Sequence, residues 1–279
     1  TVKQGTLILG RVRQVIETKV NIMLPCRLMG SVVACHISEP YNKLLEAYVN
    51  DQIEKVCELP DMFRPGQYVA LKVLETEKDY LMLSMMPQHV NGGKIHADLH
   101  NGCLLQAAVS SVEDHGYVMD IGIPNTRAFL PKKHVNPEIE LDVGFITWVA
   151  VKAVSPSTDN SIVTLTGELS AIQAGVLRKK PSTPLLPATA VDFTVDRPLD
   201  NGIEGHIFGN TTAYIQQQHA DSVKGKKPAL GQKIRARVLY VMPTRNTPFL
   251  TMRNIFDTTY PDLEDEQKFK EGDVVDNAQ

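Results

Sequence analysis

The sequence predicts an all-β protein made of three tandem five-stranded barrels with short helical inserts. Two observations carry the prediction. Three landmarks recur in one order near one period, and within each period short runs of Val, Ile and Leu alternate with polar residues between Gly, Pro or Asn. The first landmark is a glycine followed by an alternating apolar run, Gly66–Val73, Gly144–Val151 and Gly231–Val238, at intervals of 78 and 87 residues. The second is a Leu followed by a hydroxyl residue, Leu83-Ser84, Leu165-Thr166 and Leu250-Thr251, at intervals of 82 and 85. The third is a pair of valines, Val12 and Val15 in "GRVRQVIE" against Val109 and Val112 in "AAVSSVED", with a worn third copy around Val195.

Taken in order, copy 1 has strand-like runs at 6–16, 20–24, 31–37, 67–75 and 80–85. Between the third and fourth runs, Leu44, Leu45, Tyr48 and Val56 have a loosely helical spacing, which predicts one or two helical turns between Tyr41 and Leu59. The same rhythm returns at 104–112, 116–122, 127–131, 145–154 and 161–166, and more faintly in copy 3. Five short strands with a helical insert after the third describe a small Greek-key barrel of the OB type, which closes its sheet and leaves little free edge. Alternation in 233–238 turns Ile234, Ala236 and Val238 inward and Lys233, Arg235 and Arg237 outward. The expected organisation is barrel 1 at 1–88, a linker at 89–100, barrel 2 at 101–170, a basic Pro-rich linker at 171–187 and a divergent barrel 3 at 188–256. An acidic tail at 257–279 follows, in which "FKEGDVV" reads as the opening of a truncated next repeat.

Composition narrows the function classes. With 29 Lys plus Arg against 32 Asp plus Glu, the net charge is −3, which excludes a histone-like binder whose whole surface is basic but leaves room for local basic patches. The longest apolar stretch, Phe145–Val151, is far short of the ~20 residues of a membrane helix. No membrane partner, small-molecule ligand or cofactor is expected. Without an initiator Met or a charged-then-apolar leader, the chain reads as a fragment of something longer. Cys26, Cys35, Cys57 and Cys103 have no C-x-x-C pairing, so free, mostly buried thiols in a reducing compartment are expected and a metal site is not. No clustered acid–base set, nucleophile elbow or phosphate-cradling glycine loop is present, so the chain is not expected to be an enzyme. Asp114 beside His115 reads as a polar turn, Met82, Met85 and Met86 as packing, and Trp148 as structural; Gly116, Gly122 and Gly202 read as turn or bulge positions.

Several phrases carry a family resemblance. Gly10-Arg-Val12, His36-Ile-Ser38, Gly66 and Leu83-Ser84 follow the pattern of the ribosomal-protein-S1-type RNA-binding domain. The stretch "SSVEDHGYVMDIGIPNTRAFLP" (110–131), with "ILGRV", "LPDMFRPGQYV" and "TRNTPFLTMRNIF" in the same order, resembles the S1-repeat region of a family of large eukaryotic nucleolar proteins. These are the pre-ribosomal RNA processing factors of the programmed cell death protein eleven family, which combine many S1 repeats with half-a-TPR helices. The likeness covers residues 5 to about 256. It implies a nuclear, nucleolar, non-catalytic segment that binds single-stranded pre-ribosomal RNA and ribosome assembly factors during pre-rRNA processing and particle assembly.

The S1 pattern also implies where RNA would lie: on two aromatics of the second strand and a His or aromatic of the third, with cations tracking the phosphates. Copy 2 supplies His115 and Tyr117 there, with Val118 at the second position and Pro131 at the third. Copy 1 has Thr18 and Asn21, with His36 for the third, and copy 3 has Asn201 and Glu204. By this count copy 2 is a weakened platform, and copies 1 and 3 are poor ones. The cationic candidates are Lys132 and Lys133 after the third strand of copy 2, then Lys233, Arg235, Arg237 and Arg245 in copy 3. Lys224, Lys226 and Lys227, and Arg178, Lys179 and Lys180 in the linker, extend that patch. Three functional readings stand beside one another: RNA-binding segment, protein-docking scaffold whose barrels hold assembly factors, and accessory S1 module of a ribonuclease.

Overall fold

The computed structural model describes residues 2–77, 80–94, 98–137, 139–155, 161–175, 185–220 and 228–256. Lys224, Lys226, Lys227, Arg178, Lys179, Lys180 and the 257–279 tail lie outside the described residues.

Among the described residues, fifteen strands form three barrels of one design. The first holds β1 (Leu7–Ile16), β2 (Lys19–Met23), β3 (Met29–Val33), β4 (Tyr68–Glu77) and β5 (Tyr80–Ser84). The second holds β6 (Leu104–Glu113), β7 (Gly116–Asp120), β8 (Thr126–Pro131), β9 (Ile146–Ser155) and β10 (Ser161–Thr166). The third holds β11 (Ala190–Leu199), β12 (Gly202–Ile207), β13 (Thr211–Gln216), β14 (Lys233–Met242) and β15 (Thr247–Thr251). In each, the first three strands form an antiparallel meander, the third pairs parallel with the fifth, and the fourth closes the ring on the first. This is the all-β, OB-type architecture expected from the repeat. A bulge interrupts the first strand at the equivalent point of every copy, between Val12 and Gln14, Val109 and Ser111, and Val195 and Arg197. Such a bulge sharpens the bend by which a short sheet curls shut.

The helical insert of barrel 1 is longer than its spacing suggests. Helix α1 (Glu39–Val49) runs three turns, because Ser38 caps it by accepting a hydrogen bond from the Tyr41 amide at 3.2 Å and Pro40 is preset for its first turn. Leu44 and Leu45 pack on the barrel, whereas Tyr48 points to solvent. Three short helices follow at strand ends, α2 (Leu59–Met62), α3 (Pro87–Val90) and α4 (Leu169–Ala174). The cysteines are free, but only Cys103 is buried; Cys26 and Cys35 are exposed, because both sit in 3-10 turns outside the sheet.

Side chains join barrel 2 to barrel 1, whereas a strand pairing joins barrels 1 and 3 into one ten-stranded sheet. Barrel 1 is central, and its core cluster takes in Ala108 and Ile146 of barrel 2 and Leu239 and Tyr240 of barrel 3. On the barrel 2 side, the buried Gln106 amide accepts from Ala70 N at 2.8 Å and donates to the carbonyls of Ala70 and Met85 at 2.9 and 3.1 Å. Asn91, inside the segment read as a linker, is also buried and donates to the carbonyls of Gln106 and Ile121. Gly122 (φ +66) permits this approach, since a Cβ there would lie 2.1 Å from the Gln88 backbone nitrogen. Trp148 is structural, as expected, and its role is to join barrels: Nε1 donates to the Tyr68 carbonyl at 3.0 Å, and the ring meets Phe256 edge-on. On the barrel 3 side, Ile8 of β1 pairs with Tyr240 of β14.

Candidate nucleic-acid interface

Because the three barrels share one register, equivalent outward positions can be read across their strands. Around barrel 1 the row is Gln14, Asn21, Ser31, Met82; around barrel 2 it is Ser111, Val118, Phe129, Thr164. Around barrel 3 it is Arg197, Glu204, Tyr214, Phe249, ending on Tyr240 of β14. The number of rings along the row therefore rises from none, to one, to three.

Barrel 3 assembles a continuous aromatic face. Tyr214 and Phe249 have centroids 5.8 Å apart and are tilted by 32°, and Phe249 stacks on Tyr240 at 5.0 Å and 9°. Tyr240 is buried at the joint, where burial and then the neighbouring Cys26 push its phenol up, so it stays a neutral prop behind Phe249. Tyr214 and Phe249 are half-buried, supported behind and open in front. Glu204 takes a bidentate bond from Arg197 at 2.9 and 3.1 Å, and hydrogen bonds from Arg197 and Tyr214 hold its carboxyl below the usual range. The same bond to Glu204 raises the Tyr214 hydroxyl. In front of the rings lies an open cavity of about 320 Å³ lined by Tyr214, Phe249, Asn201, Thr212, Gln216 and Arg245. It offers flat apolar faces, amide and hydroxyl groups for base edges, and a cation at the rim. Those are the parts used to hold unpaired bases.

The sequence-predicted residues distribute unevenly over this geometry. Arg245, in the β14–β15 turn, reaches the barrel 3 cavity. Lys233 is exposed at the start of β14. Arg237 does face away from its own core, yet it is only 9% exposed, because barrel 2 covers it. Its guanidinium donates to the carbonyls of Ala188 and Gln173 at 2.8 Å and of Ile172 at 3.4 Å, and it lies 4.8 Å from the Phe256 centroid. Burial first, and then Arg235, lower its pKa to about 10. Arg235 donates to the carbonyls of Gln173, Ala174 and Gly175 at the end of α4. The expected outward stripe is thus a clamp between barrels in which only Lys233 stays free of the α4 carbonyls.

In barrel 2, Tyr117 is not an outward platform: it pairs with Leu130 on the inner face and is buried, because alternation along β7 turns Tyr117 and Met119 inward and leaves Val118 outward. His115 is exposed in the β6–β7 turn, and Lys132 and Lys133 are exposed beyond β8, with the Lys132 ammonium 5.9 Å from the Tyr117 ring centroid. The outward ring of barrel 2 is Phe129, which lies over Gly116, where a Cβ would sit 2.4 Å from its Cζ. In barrel 1, His36 is off the row, because β3 ends at Val33 and His36 falls in the following 3-10 turn; Ser31 holds the third-strand position. Sequence reasoning missed Tyr214, Phe249 and Phe129. The signal was present in "TTAYIQ" and "TRAFLP", where Ala and the following Ile or Leu turn inward and leave the ring between them outward. Among the described residues, no group of three or more His, Cys, Asp or Glu could hold a metal ion.

No protein-family model matches the chain. The chain is 31% identical to rRNA biogenesis protein rrp5 of Schizosaccharomyces pombe, over 86% of its own length and 15% of the relative's. It is 30% identical to Protein RRP5 homolog of Homo sapiens over 91% of the chain and 14% of the relative. It is 28% identical to rRNA biogenesis protein RRP5 of Drosophila melanogaster over 100% of the chain and 20% of the relative. The chain therefore spans between 14% and 20% of the length of these curated relatives. Among solved structures, a multidomain protein with nucleic acid binding domains from Streptococcus pneumoniae is 13% identical. The match covers 90% of this chain and 74% of that one at a TM-score of 0.23, an overlap that leaves the fold assignment to strand pairing alone. Aligned along nearly its whole length, the chain is homologous to the S1-repeat region of the RRP5 rRNA biogenesis proteins.

Proposed function

We propose that the chain is a non-catalytic RNA-binding and scaffolding segment of a ribosome biogenesis factor. In this reading it holds single-stranded pre-ribosomal RNA, together with assembly factors, during pre-rRNA processing in the nucleus and nucleolus. The single observation that carries the reading is the Tyr214–Phe249 face of barrel 3 with its open cavity and Arg245 at the rim. The reading is supported by the likeness to relatives that are named rRNA biogenesis proteins. With one well-formed aromatic face and an overall acidic chain, affinity for a single-stranded oligoribonucleotide is expected to be modest. Each base–ring stack contributes roughly 1–3 kcal/mol, so Tyr214→Ala with Phe249→Ala should weaken binding at least about thirtyfold in an anisotropy titration. Unchanged affinity in the double variant would remove barrel 3 from the reading.

A second observation favours protein docking on barrel 2. Its row is uncharged, setting Val118 and Phe129 between Ser111 and Thr164, and the same barrel exposes Val118 and Ile162, at 37% and 50%. Such a sheet face suits an apolar surface of an assembly factor better than a phosphate backbone.

A further inference from the structure

The joint between barrels 1 and 3 contains a second, smaller cavity, of about 70 Å³, distinct from the aromatic face. Three arginines from two barrels stand in its otherwise largely apolar wall, Arg11 and Arg27 of barrel 1 and Arg253 of barrel 3, with Tyr68, Gln218 and His219. No Asp or Glu is among its described lining residues. A water's share of liquid volume is about 30 Å³, so the space suits one small polar group. Arg11 already gives its Nε–H to the Gly66 carbonyl at 3.3 Å, which fixes that guanidinium on the wall.

The local backbone is unusual. Cys26 and Arg27 both adopt left-handed conformations, φ 63 and φ 59, a state that costs non-glycine residues about 1 kcal/mol or more each. The turn is held by cross-barrel contacts: the Gln216 amide donates to Cys26 Sγ at 3.1 Å, and that sulfur lies 3.6 Å from the Tyr240 hydroxyl. The result is that the exposed Arg27 stands at the cavity rim. His219 is buried there with Nδ1 3.3 Å from the Thr251 hydroxyl, and burial and then Arg253 push it down to about 4. The histidine is therefore neutral beside Arg253.

The two cavities are lined by near neighbours in the chain: Gln216 lines the aromatic one and Gln218 the arginine one, two residues apart, and the Gln216 amide also reaches Cys26, the residue before Arg27. We propose that the joint cavity binds a phosphate of the same single RNA strand whose bases lie on Tyr214 and Phe249, with Arg27 and Arg253 approaching it from opposite barrels. The inference rests on the RNA reading of barrel 3 and extends it: the site is composite, complete only when barrels 1 and 3 are docked, and its ligand is a backbone phosphate.

The test uses the whole 279-residue chain labelled at histidine, with oligouridylate or inorganic phosphate as probe. Oligouridylate is expected to raise the His219 titration midpoint, because a phosphate offsets the Arg253 field. Arg27→Glu should weaken oligouridylate binding about tenfold and lower the magnitude of the salt slope by about 1. Arg27→Gln, which keeps the turn and its polarity, should give a smaller loss in the same direction. If oligouridylate binds and Tyr214→Ala weakens it, while Arg27→Glu changes neither affinity nor the His219 midpoint, the joint site is refuted and the barrel 3 reading survives. If the unaltered chain binds no oligouridylate, both fail together. A His219 response to inorganic phosphate but not to oligouridylate would also overturn the assignment, because the ligand would then be a free phosphate.

Discussion

Arg237 shows how a correct local reading can miss a residue's surroundings. Alternation along β14 correctly turns it away from its own core, but the surface it meets is the α4 end of barrel 2, not water. No sequence rule within one repeat specifies which neighbouring repeat covers an outward face. Removing a buried, carbonyl-bonded guanidinium leaves acceptors unpaired, so Arg237→Ala should cost about 2–4 kcal/mol in urea unfolding. A loss within experimental error would mean that barrels 2 and 3 are not clamped there. His219 gives a pH dependence with a defined sign. Its folded pKa, about 4, is below the ordinary 6.5, so between those values the unfolded chain binds more protons than the folded one. The associated stability is therefore full above pH 6.5 and is lost as pH falls toward 4, by about 3 kcal/mol in total. His219→Asn should flatten stability against pH over that window, as followed by thermal melts.

At the scale of elements, strand positions were legible because period-two alternation and Gly or Pro boundaries are local signals. The parallel closure of third on fifth strand follows from the repeat as a whole. The length of α1 was less legible, because its cap, Ser38, was read only as part of a family phrase. The binding row was the least legible part. The second-strand positions Asn21, Val118 and Glu204 do fall on the row, but Tyr117 beside Val118 points inward by alternation, and the third-strand position expected at Pro131 passed over Phe129 two residues upstream, as Tyr214 was passed over in β13. Gln106 is a related case: a polar residue in the run "LLQAAV" whose purpose appears only when β6 meets barrel 1. Gln106→Ala strips three hydrogen bonds from backbone groups buried at that joint. It should cost about 2–3 kcal/mol and loosen barrel 1 from barrel 2, seen as a larger radius of gyration in X-ray scattering. An unchanged radius and stability would place the joint's strength elsewhere.

At the scale of the molecule, the repeat that organises the sequence conceals a division of labour. Three barrels of equal design carry a polar row, a mixed uncharged row and an aromatic row, and their joints use Trp148, Arg237 and Tyr240, residues that would otherwise be surface aromatics and cations. Charge density in β14 pointed to barrel 3 for a different reason from the one its structure supplies: the arginines hold the barrels together, and the rings beside them face the open cavity. The measurement that bears most directly on this account is ultraviolet crosslinking of a single-stranded pre-ribosomal transcript to the whole chain, with adducts located by mass spectrometry. The account predicts adducts concentrated on β13 and β15, at Tyr214 and Phe249, with weaker ones at the Arg27 turn. Adducts confined to barrels 1 and 2, with none on barrel 3, would contradict it.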